Sequence, residues 1–229
     1  MSRHDPPVPV RWVDGIPLAA PVETLLACAR HLGLLDMVVP VDAALHLESC
    51  SAEDLRSVAG QRRRGAPLLR RTLRYADPRS ESPWESMLRM LHVACDVPVE
   101  PQYQVFDENG AFVARGDLWI KGTRTLQEYD GAEHRATVRH REDLRRERQI
   151  GNTSWTRRGY TSQEVLRQAV GILRDADLSL GRVHDPHRIR AWHTLLADSL
   201  FTARGTEALR CRWRLPPAGT GGDRSVASA

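Results

Sequence analysis

The hydrophobic pattern predicts a helical first part of the chain and a strand-rich centre. Between residues 21 and 78, apolar side chains recur at the three- and four-residue intervals of short amphipathic helices. A further helix is predicted to start at Ser82 and to end near Cys95. From residue 99 to 130 the pattern changes to alternation, which predicts three strands, the first two joined by a turn at Asn109 and Gly110.

The remaining pattern completes an α/β arrangement. A polar helix is predicted at 137–150, a strand at 155–160, a helix at 162–175 and one more helix at 187–202. We therefore predict an extended lead-in (1–20), a helical region (21–78), an α/β domain (80–178), a helical extension (182–215) and a disordered tail (216–229). The short N-terminal helices either form a small bundle or pack onto the sheet.

Composition narrows the class of protein without identifying it. The 229 residues are 41% hydrophobic and 27% charged, and no run approaches the length of a membrane span. The first residues have no apolar signal core, so a cytoplasmic protein is expected. The four cysteines form no C-x-x-C pair, which argues against a zinc site or a disulfide framework. Lys121 is the sole lysine, so nearly all of the positive charge behind the net charge of +4 is arginine. Arginine binds phosphate well, so this composition is compatible with nucleic-acid binding; the alternative explanation is a genomic codon preference for arginine.

The strongest chemical signal lies in the predicted second hairpin. If Gly122 and Thr123 form a two-residue turn, Asp117 faces Glu128 across the two strands. Cross-strand partners have Cβ atoms about 4.5–5.5 Å apart, and Asp130 points to the same face as Glu128. Carboxylates this close repel one another unless a cation lies between them, and hard oxygen ligands suit Mg²⁺. The hairpin therefore predicts a metal-dependent hydrolytic site.

The same residues carry a resemblance to a known class of enzymes. The order helix, three strands, helix, strand, helix, with acids on the first helix and the second and third strands, resembles the PD-(D/E)XK nuclease fold. Residues 80–175 are similar to an endonuclease-like domain family of unknown function that is related to very-short-patch-repair endonucleases. The similar segments are 82–85, 115–118, 128–131 with His134, and 143–148. The fold class expected is thus a restriction-endonuclease-like α/β core preceded by a helical region.

The resemblance implies a function and a set of site residues. Glu85, Asp117 and Glu128 would bind one or two Mg²⁺ (or Mn²⁺) ions in an endonuclease that hydrolyses DNA. His134 would donate or accept a proton near the phosphate. Asp130 stands where the superfamily usually has lysine, so water would be activated by the ion or by His134. No membrane partner is expected, and a homodimer is one arrangement left open.

Two departures from the family pattern motivate an alternative. Gln127 occupies a strand position that is usually apolar, and the last strand contains Thr156, Arg157 and Arg158, with Gly159 at or beside an arginine position. The upstream region also resembles bacterial proteins related to type IV antitoxins. The alternative is a non-catalytic, antitoxin-like or regulatory protein that binds nucleic acid on a nuclease scaffold.

Each candidate residue also has a structural explanation. Ser82 and Glu85 form a capping-box pattern, so Glu85 can serve the helix rather than a metal. Asp130 precedes a glycine and can belong to a turn, and His134 can be a surface histidine. The arginines of 135–148 are interspersed with acids, which is typical of a solvated helix face and compatible with phosphate contact.

Overall fold

The computed structural model describes residues 10–131 and 154–214 of the chain. In these parts it contains six strands and nine α-helices, which we number in chain order. The strands are β1 (Val10–Val13), β2 (Ile16–Ala19), β3 (Val99–Phe106), β4 (Phe112–Ile120), β5 (Thr125–Tyr129) and β6 (Thr156–Tyr160). The helices are α1 (Pro21–Cys28), α2 (Leu34–His46), α3 (Ala52–Gly60), α4 (Ala66–Thr72), α5 (Pro83–Ala94), α6 (Ser162–Arg167), α7 (Ala169–Ser179), α8 (Ile189–Ala197) and α9 (Ala203–Trp213).

Capping residues set the starts of the helices that matter most for the site. The Ser51 side chain accepts a hydrogen bond from the backbone of Asp54, whose carboxylate returns the contact at the start of α3. At α5, the Ser82 side chain accepts the N–H of Glu85, and Pro83 occupies the first turn. The start of α5 agrees with the sequence prediction. It also fixes Glu85 in the first turn of α5.

Strands β3 to β6 form one mixed sheet in sequence order. β3, β4 and β5 form an antiparallel meander, and β6 adds to β5 in parallel. The predicted α/β class, with a helical region ahead of the sheet, is confirmed. The predicted polar helix at 137–150 and the tail from 216 lie outside the described residues, and β1 and β2 form a separate two-stranded ribbon within the predicted lead-in.

Helix α5 lies at the centre of the main hydrophobic core. Its Leu88 and Leu91 are fully buried and belong to a cluster that includes Leu118 and Ile120 of β4 and Trp192 of α8. A second cluster joins α1, α2, α3 and α4. Helix α2 takes part in both clusters, so the N-terminal helices form a small bundle and also pack against the helix that supports the sheet.

A buried ion pair fastens the N-terminal bundle to α5. Asp42 of α2 is fully buried and lies 2.6 Å from a terminal nitrogen of Arg89. The same carboxylate accepts hydrogen bonds from the hydroxyl of Ser86 and the backbone N–H of Asp77. Arg89 also donates to the carbonyl oxygen of Tyr75 at 2.6 Å. The connection between α4 and α5 is therefore held by polar contacts at Tyr75 and Asp77.

One boundary prediction was wrong. The single helix expected at 162–175 is two helices, because the backbone of Gln168 leaves the helical region between α6 and α7. The helix expected at 187–202 is confirmed only in part: a short 3₁₀ turn leads into α8, which ends at Ala197. No helix in the described parts of the chain has the length and apolar character needed to cross a membrane.

Candidate functional site

The β4–β5 hairpin has the register that the sequence predicts. Leu118 pairs with Gln127 and Trp119 with Leu126, so the same register brings Asp117 opposite Glu128 one residue further along. The turn contains Gly122, whose φ of +80° is readily adopted only by glycine. The opposed acidic positions thus follow from the turn and from strand pairing.

Asp117 is bound to the neighbouring strand. Its Oδ2 accepts a hydrogen bond from the backbone N–H of Tyr129 at 3.0 Å. Tyr129 is the residue after Glu128, so this contact holds the Asp117 carboxylate at the end of β5. The ring of Tyr129 stacks on Trp84 of α5 with centroids 5.5 Å apart, which anchors this end of the hairpin to the helix.

Glu128 is buried and paired with an arginine from β6. Only 4% of Glu128 is exposed, and its Oε2 lies 2.5 Å from a terminal nitrogen of Arg157 and 2.6 Å from the Arg157 Nε. Arg157 lies two residues before Gly159 on β6. The sequence reasoning missed this role for Arg157. The sequence did contain a signal for this role. Alternate residues of a strand point to the same face, so an arginine at such a position of β6, which is parallel to β5, can reach a side chain of β5.

Glu85 reaches the sheet through Gln102. The Glu85 Oε2 accepts hydrogen bonds from Gln102 Nε2 at 2.8 Å and from the backbone N–H of Glu81 at 2.9 Å. Gln102 lies on β3 between the residues that pair with Gly116 and Leu118, which places it beside Asp117. Glu85 is therefore linked to the acidic hairpin by an amide, and it also serves the helix start.

The other two predicted site residues are less informative. Asp130 is exposed just beyond β5, and its backbone N–H donates to the carbonyl of Tyr160 at 2.8 Å. A Cβ placed on Gly159 would lie 3.4 Å from the Asp130 Cβ, so the two residues are neighbours. His134 lies outside the described residues.

A chain of polar groups runs through the sheet beneath the hairpin. The fully buried Gln127 approaches the hydroxyl of Tyr160 at 3.4 Å, and that hydroxyl donates to Asp175 at 2.9 Å. Arg158 lies 3.0 Å from the same Asp175 carboxylate. Burial and the nearby Asp175 carboxylate raise the pKa of Tyr160, so its phenol remains a donor. These contacts explain why polar residues occupy strand positions that are usually apolar.

Acid is expected to destabilise the protein through His92. Its imidazole projects from α5 into the protein core, where Nδ1 donates a hydrogen bond to the Leu88 carbonyl at 2.7 Å. Burial lowers the pKa of His92 from 6.5 to about 4. Between these values the unfolded chain binds a proton that the folded protein excludes, so this stability is present above pH 6.5 and is lost as the pH falls towards 4. The loss should reach about 3 kcal/mol. Chemical denaturation across this range should show a correspondingly flatter profile for His92→Gln than for wild type.

A matched substitution separates this effect from general acid denaturation. His193 is exposed on α8, so His193→Gln should leave the wild-type pH profile unchanged. A His92→Gln profile parallel to wild type would contradict the assignment.

The aromatic residues near the hairpin have structural partners. Tyr103 and Trp119 stack with centroids 4.1 Å apart, and Trp155 lies 6.5 Å from Trp119. In these contacts Trp119 and Trp155 serve as packing residues.

The predicted metal ligands fit a divalent cation only in part. Asp117 and Glu128 occupy facing strand positions, and Mg²⁺ commonly uses one or two carboxylates with water and phosphate completing its shell. Glu85 is engaged by Gln102, and a guanidinium already neutralises Glu128. No group of three or more histidine, cysteine, aspartate or glutamate side chains suited to a metal occurs within 10–131 and 154–214. A cation would therefore bind in competition with Arg157.

Comparison with known proteins adds relatives but no function. The chain is 31% identical over 148 residues to the "Uncharacterized protein Rv2248" of Mycobacterium tuberculosis strain H37Rv and to the "Uncharacterized protein MT2308" of strain CDC 1551. The match covers 63% of this chain and 54% of each relative, so it spans about half the length of these proteins. No family model matches the chain, and no solved structure is significantly similar to it. The resemblance to nucleases remains a prediction.

Proposed function

We propose that the protein is a divalent-metal-dependent endonuclease that hydrolyses phosphodiester bonds in DNA at the end of the β4–β5 hairpin. The observation that carries the proposal is the register of that hairpin, which brings Asp117 beside Glu128. Two carboxylates at adjacent strand positions repel each other, and their juxtaposition favours a bound cation. The order α5, β3, β4, β5 and a parallel β6 supports the same proposal, because it is the strand order expected of this nuclease scaffold.

In this proposal the chain supplies ligands and positions them. Asp117 and Glu128 would hold the ion, and a bound ion would supply a Lewis acid for the scissile phosphate and for a water molecule. The N–H of Tyr129 orients the Asp117 carboxylate, and Gln102 orients Glu85 at the edge of the site. Arg157 neutralises the Glu128 carboxylate. If an ion took its place, the guanidinium would be available to donate hydrogen bonds to a DNA phosphate.

The ion pair between Glu128 and Arg157 favours a second candidate function. A guanidinium 2.5 Å from the buried carboxylate supplies the positive charge that the acidic hairpin requires. On this alternative the protein keeps the nuclease scaffold, binds nucleic acid and does not hydrolyse it. The two candidates differ in whether a divalent ion competes with Arg157.

Substituting Arg157 is expected to strengthen metal binding if the first proposal is correct. Arg157→Gln removes a competing positive charge next to Glu128, so calorimetric titration should give an Mg²⁺ affinity about tenfold higher than that of wild type, equivalent to ~1.4 kcal/mol. The variant should melt at a lower temperature than wild type in EDTA, because Glu128 is left buried without this partner. Added Mg²⁺ should restore much of that loss.

The adjacent arginine provides the matched control. Arg158 lies on the same strand and pairs with the partly exposed Asp175, so Arg158→Gln should not change the Mg²⁺ affinity. If Mg²⁺ and Mn²⁺ bind neither wild type nor Arg157→Gln, the metal site is excluded and the non-catalytic candidate is favoured.

A further inference from the structure

The positive charge of the chain is concentrated in one helical hairpin. Residues 55–76 contain seven arginines and no aspartate or glutamate, whereas the whole chain has a net charge of +4, so the rest of the chain is net negative. A genomic preference for arginine over lysine explains the residue type but not the absence of acids. The arginines are Arg56, Arg62, Arg63, Arg64, Arg70, Arg71 and Arg74. We call residues 55–76, from within α3 to the turn after α4, the basic hairpin.

The packing of α4 directs its arginines outward. Ala66 and Leu69 are fully buried in the N-terminal cluster. Arg70 and Arg71 of α4 are exposed, and Arg74 is exposed in the turn that follows the helix. The outward surface at the C-terminal end of α4 is therefore basic.

The connection between the two helices has a fixed shape. Gly65 has a φ of +89°, and a Cβ at this position would lie 2.4 Å from the carbonyl oxygen of Leu26. Arg63 points inward and forms a buried ion pair with Glu23 at 2.6 Å. These contacts hold the backbone that displays Arg62 and Arg64, which are both exposed.

The exposed arginines are not neutralised by the protein. Five exposed arginines of the basic hairpin form no ion pair within the described parts of the chain. The acids nearest in sequence have other partners: Asp54 binds Ser51, and Asp77 binds Arg79. The exposed and unpaired set is Arg56, Arg62, Arg64, Arg71 and Arg74.

We infer that the basic hairpin binds the phosphate backbone of duplex DNA. Arginine recognises phosphate through paired N–H donors, and the backbone offers one charge per ~3.4 Å along each strand. A membrane surface is a poorer partner, because an interfacial helix also needs large apolar residues among its exposed positions. Only Pro67 is apolar on the exposed face of α4.

This inference deepens the proposed function by assigning a DNA contact outside the acidic hairpin. It shares DNA with that proposal as the partner, but it requires neither a metal ion nor hydrolysis. Binding measured in EDTA therefore tests it separately, and loss of cleavage alone would leave it standing.

Removing three of the exposed arginines is expected to weaken DNA binding and its salt dependence together. The full-length triple variant Arg62→Gln/Arg64→Gln/Arg71→Gln would be compared with wild type by fluorescence anisotropy of a labelled DNA duplex in EDTA. Between about 50 and 200 mM NaCl, the slope of log K against log[salt] should fall by about 2–3, since each phosphate contact contributes ~0.9. The affinity at the lowest salt should fall at least about tenfold. Arg63 and Arg70 are kept, because they bind Glu23 and the Ala59 carbonyl.

A charge-matched variant tests whether position or total charge matters. Arg167, Arg174 and Arg190 are exposed on α6, α7 and α8, so replacing all three by glutamine removes the same charge and should leave DNA binding unchanged. Equal loss in both triple variants, no wild-type binding at low salt, or no effect of the first triple variant would each overturn the inference. Preferential binding to vesicles of anionic phospholipid over DNA would also overturn it.

Discussion

Replacing Asp117 by asparagine is expected to reduce Mg²⁺-dependent cleavage of DNA by about 100-fold or more. The substitution removes the negative charge from one of the two proposed metal ligands, and a bound metal contributes several kcal/mol to the stabilisation of a phosphoryl transition state. Asparagine retains an oxygen that can accept the N–H of Tyr129, so the hairpin should keep its register. Relaxation and linearisation of a supercoiled plasmid would measure the effect for wild type and variant.

An acidic residue in the neighbouring turn of the same sheet provides a control for the loss of one carboxylate. Glu108 is exposed in the turn between β3 and β4, so Glu108→Gln should retain wild-type cleavage. Thermal melting of Asp117→Asn in EDTA should match wild type within a few degrees. Cleavage that persists in Asp117→Asn, or wild-type protein that cuts DNA equally well in EDTA, would remove the hairpin from the catalytic role.

Substitution of Asp42 by alanine is expected to destabilise the protein by about 3–5 kcal/mol. It leaves the buried Arg89 without the carboxylate 2.6 Å away, and an unpaired buried charge is among the most destabilising defects in a protein. It also removes the acceptor for the Ser86 hydroxyl and the Asp77 N–H. The melting temperature should fall by about 6–20 °C for a chain of this size.

Two further variants keep this prediction testable if Asp42→Ala fails to fold. The double variant Asp42→Leu/Arg89→Met replaces both charges by apolar groups and should be more stable than Asp42→Ala alone. Asp198 forms a surface pair with Arg204 and is 75% exposed in its side chain, so Asp198→Ala should change stability by less than about 1 kcal/mol. An Asp42→Ala protein that melts like wild type would show that the ion pair is dispensable.

Local patterns in the sequence were enough to predict the hairpin. The alternation of Asp117 to Ile120 and the glycine at position 122 specify a strand, a turn and therefore a register. The start of α5 at Ser82 was predicted for the same reason, since a cap depends on residues three positions apart. Contacts between residues that are close in sequence can be predicted from the local pattern of residue types.

Contacts between distant residues were not predictable from those patterns. Arg157 meets Glu128 only because β6 joins β5 in parallel, and the sequence gives the strand but not its partner. Asp42 and Arg89 are 47 residues apart, and each appears in the sequence as one more charged residue on a helix. The break at Gln168 was missed because the apolar spacing continues across it. Local periodicity in the sequence does not indicate the contacts that form only through tertiary packing.

The sharing of α2 between two hydrophobic clusters has a consequence for how the molecule comes apart. Leu35 and Val38 of α2 pack in the cluster built around α5, while Met37 and Val41 pack with α1, α3 and α4. Unfolding of either cluster removes one of the two sets of residues that pack against α2. Heating should therefore give one cooperative transition, and dissecting the gene between residues 76 and 82 should yield two fragments that are each insoluble alone.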